Sequence, residues 1–507
     1  MQRIRARTEQ GEVEGVMTNA GLAVFRNIPY AAPPFGARRF RPPQPPAKWA
    51  GVRDASVSGP KAPQPPAQGA DAFQLAYFDV PTMGEDCLTL EIWTPDPGAN
   101  SLPVMVWIHG GAYIFGTGAA PAYTGRAFAR DGIVHVAINY RLGVDGFIYF
   151  GEEAEGSDNL GLRDQVAALE WVQRNIAHFG GDPSNVTIYG QSGGGVSVMN
   201  LMAMPSARGL FVRAIAQSGS PIGSVDPDEA SKVTRRLAKR LGVAPTRAGF
   251  ETTKVEQGLA QVVPLAMNFI NPLRSGTQSF MISPFRAVHG TPSLPEPPID
   301  AAANPSVARP SVPMLTGTAR NEAIGFLKVL GRMDRINPFV GWFFNRMMGV
   351  RPAMKNAYRN GPRQMTNTLA LVEAAWTDWA FRMPSIRLVE TRVQTTPAVP
   401  TWLYEFRWDS PILPRGLGAF HGLEVPFVRD ELEAMLAMEG SETFVGTQPP
   451  AHLATEMHAA WVRFAKTGDP GWPAYELKRR ETMVFDTTSE LVADAAAPER
   501  QAWKGYR

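Results

Sequence analysis

Three segments constrain the fold most. Residues 103–108, 133–138 and 186–189 are apolar nearly throughout, where a half-buried strand would alternate with polar residues. That is the pattern of strands buried on both faces of a sheet. Between the second and the third, Leu162, Val166, Leu169, Val172 and Ile176 recur at helical spacing, and Gly180-Gly181 ends the run. Strand and helix alternate, so the expectation is an α/β protein with a large, mostly parallel central sheet flanked by helices. Shorter signals add a hairpin across Asn19-Ala20-Gly21, strands at 88–93 and 402–406, and an amphipathic helix over 453–465. A length of 507 residues would allow about three domains. No Gly- and Ser-rich linker divides the chain. One domain over residues 1–507 is expected, with residues 323–395 as a mainly helical insertion.

Charge and cysteine content narrow the function. Fifty Lys and Arg face 47 Asp and Glu, a net charge of +3. Nothing there marks a nucleic-acid partner. The one cysteine, Cys87, excludes an internal disulfide and a Cys-based zinc site. No run reaches about 18 apolar residues, so no membrane-crossing helix is expected. The basic N-terminus is not followed by the apolar stretch of a secretory signal. The cytoplasm is the expected compartment.

Two glycine turns carry the chemistry. Gly190-Gln191-Ser192-Gly193-Gly194 follows the run 186–189 and precedes a helix-compatible run, 196–204. A strand–turn–helix of G-x-S-x-G form is a nucleophile elbow, in which the serine oxygen stands above the sheet on a strained turn. A turn that binds phosphate or merely packs a helix is the plainer alternative. Upstream, His109-Gly110-Gly111-Ala112-Tyr113 follows the run 103–108. Acyl transfer needs backbone N–H donors aimed at a developing oxyanion, and glycines let the backbone come close. The candidate donors are Gly111, Ala112 and Gly193. Both turns occur in the chain order that an acyl-transfer enzyme of this kind requires.

Together these blocks resemble the type-B carboxylesterase family, which includes cholinesterases and bacterial para-nitrobenzyl esterases. Phe25-Arg26-Asn27-Ile28-Pro29-Tyr30-Ala31 is similar to the family's F-x-G-I-P-Y-A, with Asn27 in place of glycine. Glu85-Asp86-Cys87-Leu88-Thr89-Leu90 resembles its E-D-C-L-x-L segment. Asn139-Tyr140-Arg141-Leu142-Gly143, Asn159-Leu160-Gly161-Leu162-Arg163-Asp164-Gln165 and Phe464-Ala465-Lys466-Thr467-Gly468-Asp469-Pro470 are similarly close. The resemblance covers nearly the whole chain and implies an α/β-hydrolase fold, with the order serine, acid, histidine.

Residues 315–322 look like the family's strand and catalytic glutamate, Glu322, although Ala323 stands where glycine usually follows. A glutamate that only meets a helix dipole is the alternative. Seven histidines are available. His109, His135 and His178 precede Ser192, His289 precedes the acid, and His452 and His458 fall on or beside the terminal helix. His421 remains, and Gly418-Ala419-Phe420-His421-Gly422-Leu423-Glu424 matches the family's H-x-x-E block. The resemblance further implies that Ser218 supports the acid and that Glu424 orders the triad. Each is equally readable as a structural polar residue. Ala62 stands where the family often places the disulfide partner of Cys87.

The expected activity is that of a serine carboxylesterase acting on uncharged alkyl or aryl esters through an acyl-enzyme. Its partner would be a small-molecule ester, with neither metal nor cofactor. Gln191 is neutral where the cholinesterase-type elbow has Glu, and residues 65–84 hold no tryptophan. Choline esters are therefore poor candidates. Ala112 takes the place of a third glycine, which favours esters of primary alcohols and phenols. Trp342 and Phe343, in the apolar stretch 338–348, are candidates for the substrate pocket, with core packing the plainer reading. Carbamate or activated-amide hydrolysis by the same triad is the second reading. A non-catalytic, cholinesterase-like recognition protein is the third, and the presence of Ser192, Glu322 and His421 weighs against it.

Overall fold

The computed structural model describes residues 2–66, 80, 82–152, 154, 156–304, 311–329, 336–361, 363–411, 418–438, 440 and 442–506. Most of the tryptophan-free segment 65–84 lies outside the described residues.

Thirteen strands build one sheet. They are β1 (Gln2–Arg7), β2 (Glu12–Met17), β3 (Ala23–Pro29), β4 (Val52–Asp54), β5 (Thr89–Thr94), β6 (Leu102–Ile108) and β7 (Val134–Ile138), then β8 (Gly181–Gln191), β9 (Arg213–Gln217), β10 (Met314–Ala319), β11 (Thr401–Phe406), β12 (Glu481–Phe485) and β13 (Glu490–Ala493). The order is β1-β2-β3-β5-β7-β6-β8-β9-β10-β11-β12-β13, with β4 beside β2. From β7 to β12 every neighbour is parallel. Antiparallel strands close both edges.

The continuous apolar runs have the expected cause. Val104, Val106 and Ile108 of β6 enter one core, whereas Met105 and Trp107 enter the other. Helices cover both faces. They include α1 (Leu160–Asn175), α2 (Gly193–Ala203), α3 (Pro227–Leu241) and α4 (Val255–Phe269). Between β10 and β11 lie α5 (Ile324–Val329), α6 (Pro338–Met347), α7 (Thr368–Thr377) and α8 (Met383–Thr395), and the terminal helix is α9 (Ala451–Thr467). A fifth helix, Pro352–Asn360, lies between α6 and α7, and all five share a third apolar cluster. The chain past α1 turns at Gly180, whose φ of +86° explains that glycine. No helix among the described residues is long and apolar enough to cross a membrane.

One departure from the family pattern explains itself. Asn27 lies where the pairing of β3 with β5 slips between Phe25 and Ile28, and its φ is +54°. Glycine suits such a position, and asparagine is among the few other residues that tolerate it. Ala62 and Cys87 are both buried in the same core.

Candidate active site

The elbow is built by close packing. Gln191 ends β8, and α2 begins at Gly193. Ser192 between them has φ +58° and ψ −124°, a strained conformation for a residue with a side chain. A Cβ at Gly190 would lie 2.6 Å from the Gly194 carbonyl, and one at Gly194 would collide with the Ile108 carbonyl. Only glycines let the helix cross its strand so closely. The Ser192 N–H donates to the Gln217 carbonyl at 3.0 Å, which ties the turn to β9.

The loop after β6 meets the elbow from the other side. Gly111, Ala112 and Tyr113 all have positive φ, at +103°, +55° and +61°. The Ile114 and Phe115 N–H groups close back onto the Gly111 carbonyl at 2.9 and 3.0 Å. A Cβ placed on Gly193 would lie 3.2 Å from the Ala112 nitrogen and 3.4 Å from that of Tyr113. The two glycine turns predicted from sequence therefore converge beside Ser192.

Glu322 and His421 come together across 99 residues. Glu322 follows β10, and its Oε1 accepts the Ala319 N–H at 2.7 Å. Its Oε2 lies 2.5 Å from His421 Nδ1. Ala323 does not need the glycine of the family pattern. It is absent from the positive-φ residues, and its N–H donates to Thr377 Oγ1 at 3.1 Å. Thr377 in turn donates to Glu373, which also receives the Asn321 amide. Burial disfavours a charged imidazole at His421. The Glu322 carboxylate, its hydrogen bond and the nearby Glu424 outweigh that burial, so the His421 pKa is raised above its ordinary value.

Sequence reasoning missed the rings around the base. Phe326 and Phe381 lie 5.2 and 5.4 Å from the imidazole, centroid to centroid. A signal existed for Phe326, one helical turn beyond Glu322 on α5. It also missed a contact of Gln191, whose side-chain nitrogen lies 3.3 Å from His421 Nε2.

The supporting groups differ from expectation. Ser218 Oγ is buried and has no hydrogen-bond partner among the described residues, so it makes no bond to Glu322. Its backbone instead ties β9 to β10, the N–H donating to Gly317 O at 2.8 Å. Glu424 meets Gln217 Nε2 at 3.5 Å through one oxygen, and the other has no partner among the described residues. Burial and the charge of Glu322 push its carboxyl up to about 7. Trp342 is half exposed and stacks on Phe339 at 5.8 Å, while Phe343 packs on the cluster shared by α5 to α8. No ring contact joins either to His421.

Four other histidines have separate partners. His135 meets the Tyr189 hydroxyl, His289 meets Ser224, His452 meets the Thr487 carbonyl, and His458 bridges Val428 O and Asp131. Burial lowers His109 to about 4. Among the described residues no group of three or more His, Cys, Asp or Glu side chains is placed to hold a metal ion.

A mostly parallel sheet of this order, with a serine on its elbow and a carboxylate–imidazole pair, is the arrangement of α/β-hydrolases. Residues 2–503 match the model of the Carboxylesterase family. The chain belongs to that family and is a carboxylic ester hydrolase. It is 34% identical to a para-nitrobenzyl esterase of Bacillus subtilis over 97% of each chain. It is also 34% identical to a phenmedipham hydrolase of Pseudarthrobacter oxydans, again over 97% of each. A Geobacillus stearothermophilus carboxylesterase structure superposes with a TM-score of 0.84, at 34% identity, covering 99% of this chain and 100% of that one.

Proposed function

We infer that Ser192, His421 and Glu322 are the catalytic triad, acting on uncharged esters of primary alcohols and phenols. The observation that carries this reading is the 2.5 Å contact between Glu322 Oε2 and His421 Nδ1. It fixes the proton on Nδ1 and leaves the Nε2 lone pair for the serine. In the first step Ser192 Oγ attacks the ester carbonyl while His421 Nε2 takes its proton. The N–H groups of Gly111, Ala112 and Gly193 hold the oxyanion. His421 then protonates the leaving alcohol, and the acyl group stays on Ser192. Water, deprotonated by His421, adds to the acyl carbon; the bond to Ser192 Oγ then breaks as His421 returns the proton to that oxygen, and the carboxylic acid leaves. Glu322 stabilises the imidazolium throughout. Trp342 and Phe343 would line the outer part of the acyl path. A single buried Cys87 suits a reducing, cytoplasmic setting.

Ser192→Ala is the direct test. With short-acyl aryl esters, turnover should fall to background while the fold persists. A serine-directed phosphonate should label the wild type at Ser192 and leave the variant unlabelled. Near wild-type turnover in Ser192→Ala overturns the assignment.

A further inference from the structure

The side chain that precedes the nucleophile sits where the nucleophile's own hydrogen bond belongs. Glu322 occupies His421 Nδ1, so Nε2 carries the only free lone pair of the ring. The Gln191 carboxamide nitrogen reaches it at 3.3 Å. Among the described residues Ser192 Oγ makes no hydrogen bond, to His421 or elsewhere.

The carboxamide is confined there. Gln191 is 6% exposed. A Cβ at Gly110 would lie 3.3 Å from its Oε1, and one at Gly422 would lie 3.5 Å from its Nε2. A glycine of the oxyanion loop and the glycine after the base thus form the walls of its slot. Gly422 has φ +84°, so a side chain there would be strained.

We propose that Gln191 is a positioning residue, whose carboxamide holds the bare Nε2 of His421 in the resting enzyme and yields that place to the Ser192 hydroxyl in each turnover. The proposal rests on the triad reading above. An N–H donated to Nε2 is compatible only with a neutral ring carrying its proton on Nδ1, and that is the form able to accept the serine proton. The exchange breaks one hydrogen bond and makes another. The proton then moves from Ser192 Oγ to Nε2 with no further partner.

The charged groups facing His421 are Glu322, from the loop after β10, and Glu424, from the turn after the base. Among the described residues the insertion presents the rings of Phe326 and Phe381 to the imidazole. A carboxylate at position 191 would be the first charge set against Nε2. It would stabilise the imidazolium that the carboxamide opposes.

The test compares full-length wild type, Gln191→Glu and Gln191→Met. Histidine ring nitrogens are labelled with 15N, His421 is assigned with His421→Gln, and its titration is followed by NMR. In parallel the acid limb of kcat/KM is measured with an aryl ester. Gln191→Glu should move the His421 titration and the acid limb up by about one pH unit or more. Gln191→Met, which removes a donor to the neutral ring, should move both the same way by less. If Gln191→Glu does not fold, the direction of the Gln191→Met shift decides. A His421 titration that agrees within about 0.2 unit in the folded proteins overturns the proposal. The NMR readout needs no turnover, so a failure of the esterase reading would show separately, as no ester hydrolysis by wild type.

Discussion

Asn321 pairs with Phe420 in a lone parallel bridge, one residue before the acid and one before the base. The Asn321 N–H donates to the Ala419 carbonyl at 2.9 Å. Two loops from different strands are thereby locked in register, and Glu322 and His421 leave the bridge side by side. The 2.5 Å contact between them follows from backbone pairing, so it does not depend on side-chain packing alone.

Glu322→Gln keeps the shape of the acid and removes its charge. We expect kcat/KM for an aryl ester to fall about 10³–10⁴-fold. The pH profile should also change. In the wild type His421 is held above its ordinary value by Glu322 and Glu424, against burial. Activity is then full above that raised pKa and lost as pH falls through it. Without the Glu322 charge the acid limb should move to lower pH. A limb that stays in place would show that Glu322 does not set the charge of the base.

Glu424 should cost stability at alkaline pH. Its carboxyl is raised from 4.5 to about 7 by burial, then by Glu322. The native state therefore holds a proton that the unfolded state has released. Stability from this group is present below the unfolded pKa and is lost as pH rises towards 7, by a few kcal/mol at most. Glu424→Gln should flatten that decline. Denaturation midpoints at pH 5 and pH 8 should differ less in the variant than in the wild type.

Asn27 fills a left-handed position, and its Oδ1 is buried without a partner among the described residues. Asn27→Gly should leave stability within about 1 kcal/mol of wild type, whereas Asn27→Val should lose about 1–2 kcal/mol. Equal urea midpoints for the two variants would contradict the backbone argument.

Ala112 carries a methyl group at the mouth of the oxyanion loop, at a φ of +55°. If the alcohol of the ester lies beside that methyl, Ala112→Gly relieves the strain and opens space for it. The ratio of tertiary-alcohol to primary-alcohol ester turnover should rise at least about tenfold, equivalent to ~1.4 kcal/mol. An unchanged ratio would place the alcohol elsewhere.

Trp342 and Phe343 are separable by truncation. If α6 borders the acyl path, Trp342→Ala should change the preference among acyl-chain lengths with little loss of stability, because the ring is half exposed. Phe343→Ala should lower stability more, since that ring packs on the helical cluster. Unchanged chain-length preference in both would leave them as packing residues.

Much of this was legible in the sequence for a physical reason. The elbow and the oxyanion loop need glycines where a Cβ would strike backbone, and such positions show as short fixed patterns. The central strands are equally plain, being buried on both faces. Other elements left weaker traces. β1 reads Gln-Arg-Ile-Arg-Ala-Arg and lies at an edge, mostly exposed. β13 is four residues long and almost wholly exposed. α3 and α4 passed unnoticed between the better-marked strands. The contact from Gln191 to His421 spans 230 residues, and no local pattern records it. The role expected for Ser218 came from analogy, and its side chain is not bonded to the acid.

The bridge between Asn321 and Phe420 has a wider consequence. α6, α7 and α8 lie in the chain between Glu322 and His421, yet they hold neither in place alone. Reactivity is anchored on strand ends, and the insertion is fastened to the same place: Thr377 takes the Ala323 N–H, Glu373 takes the Asn321 amide, and Phe326 and Phe381 lie against the His421 ring. Exchanging the insertion would therefore disturb the surroundings of acid and base together, so it cannot be swapped as an independent part.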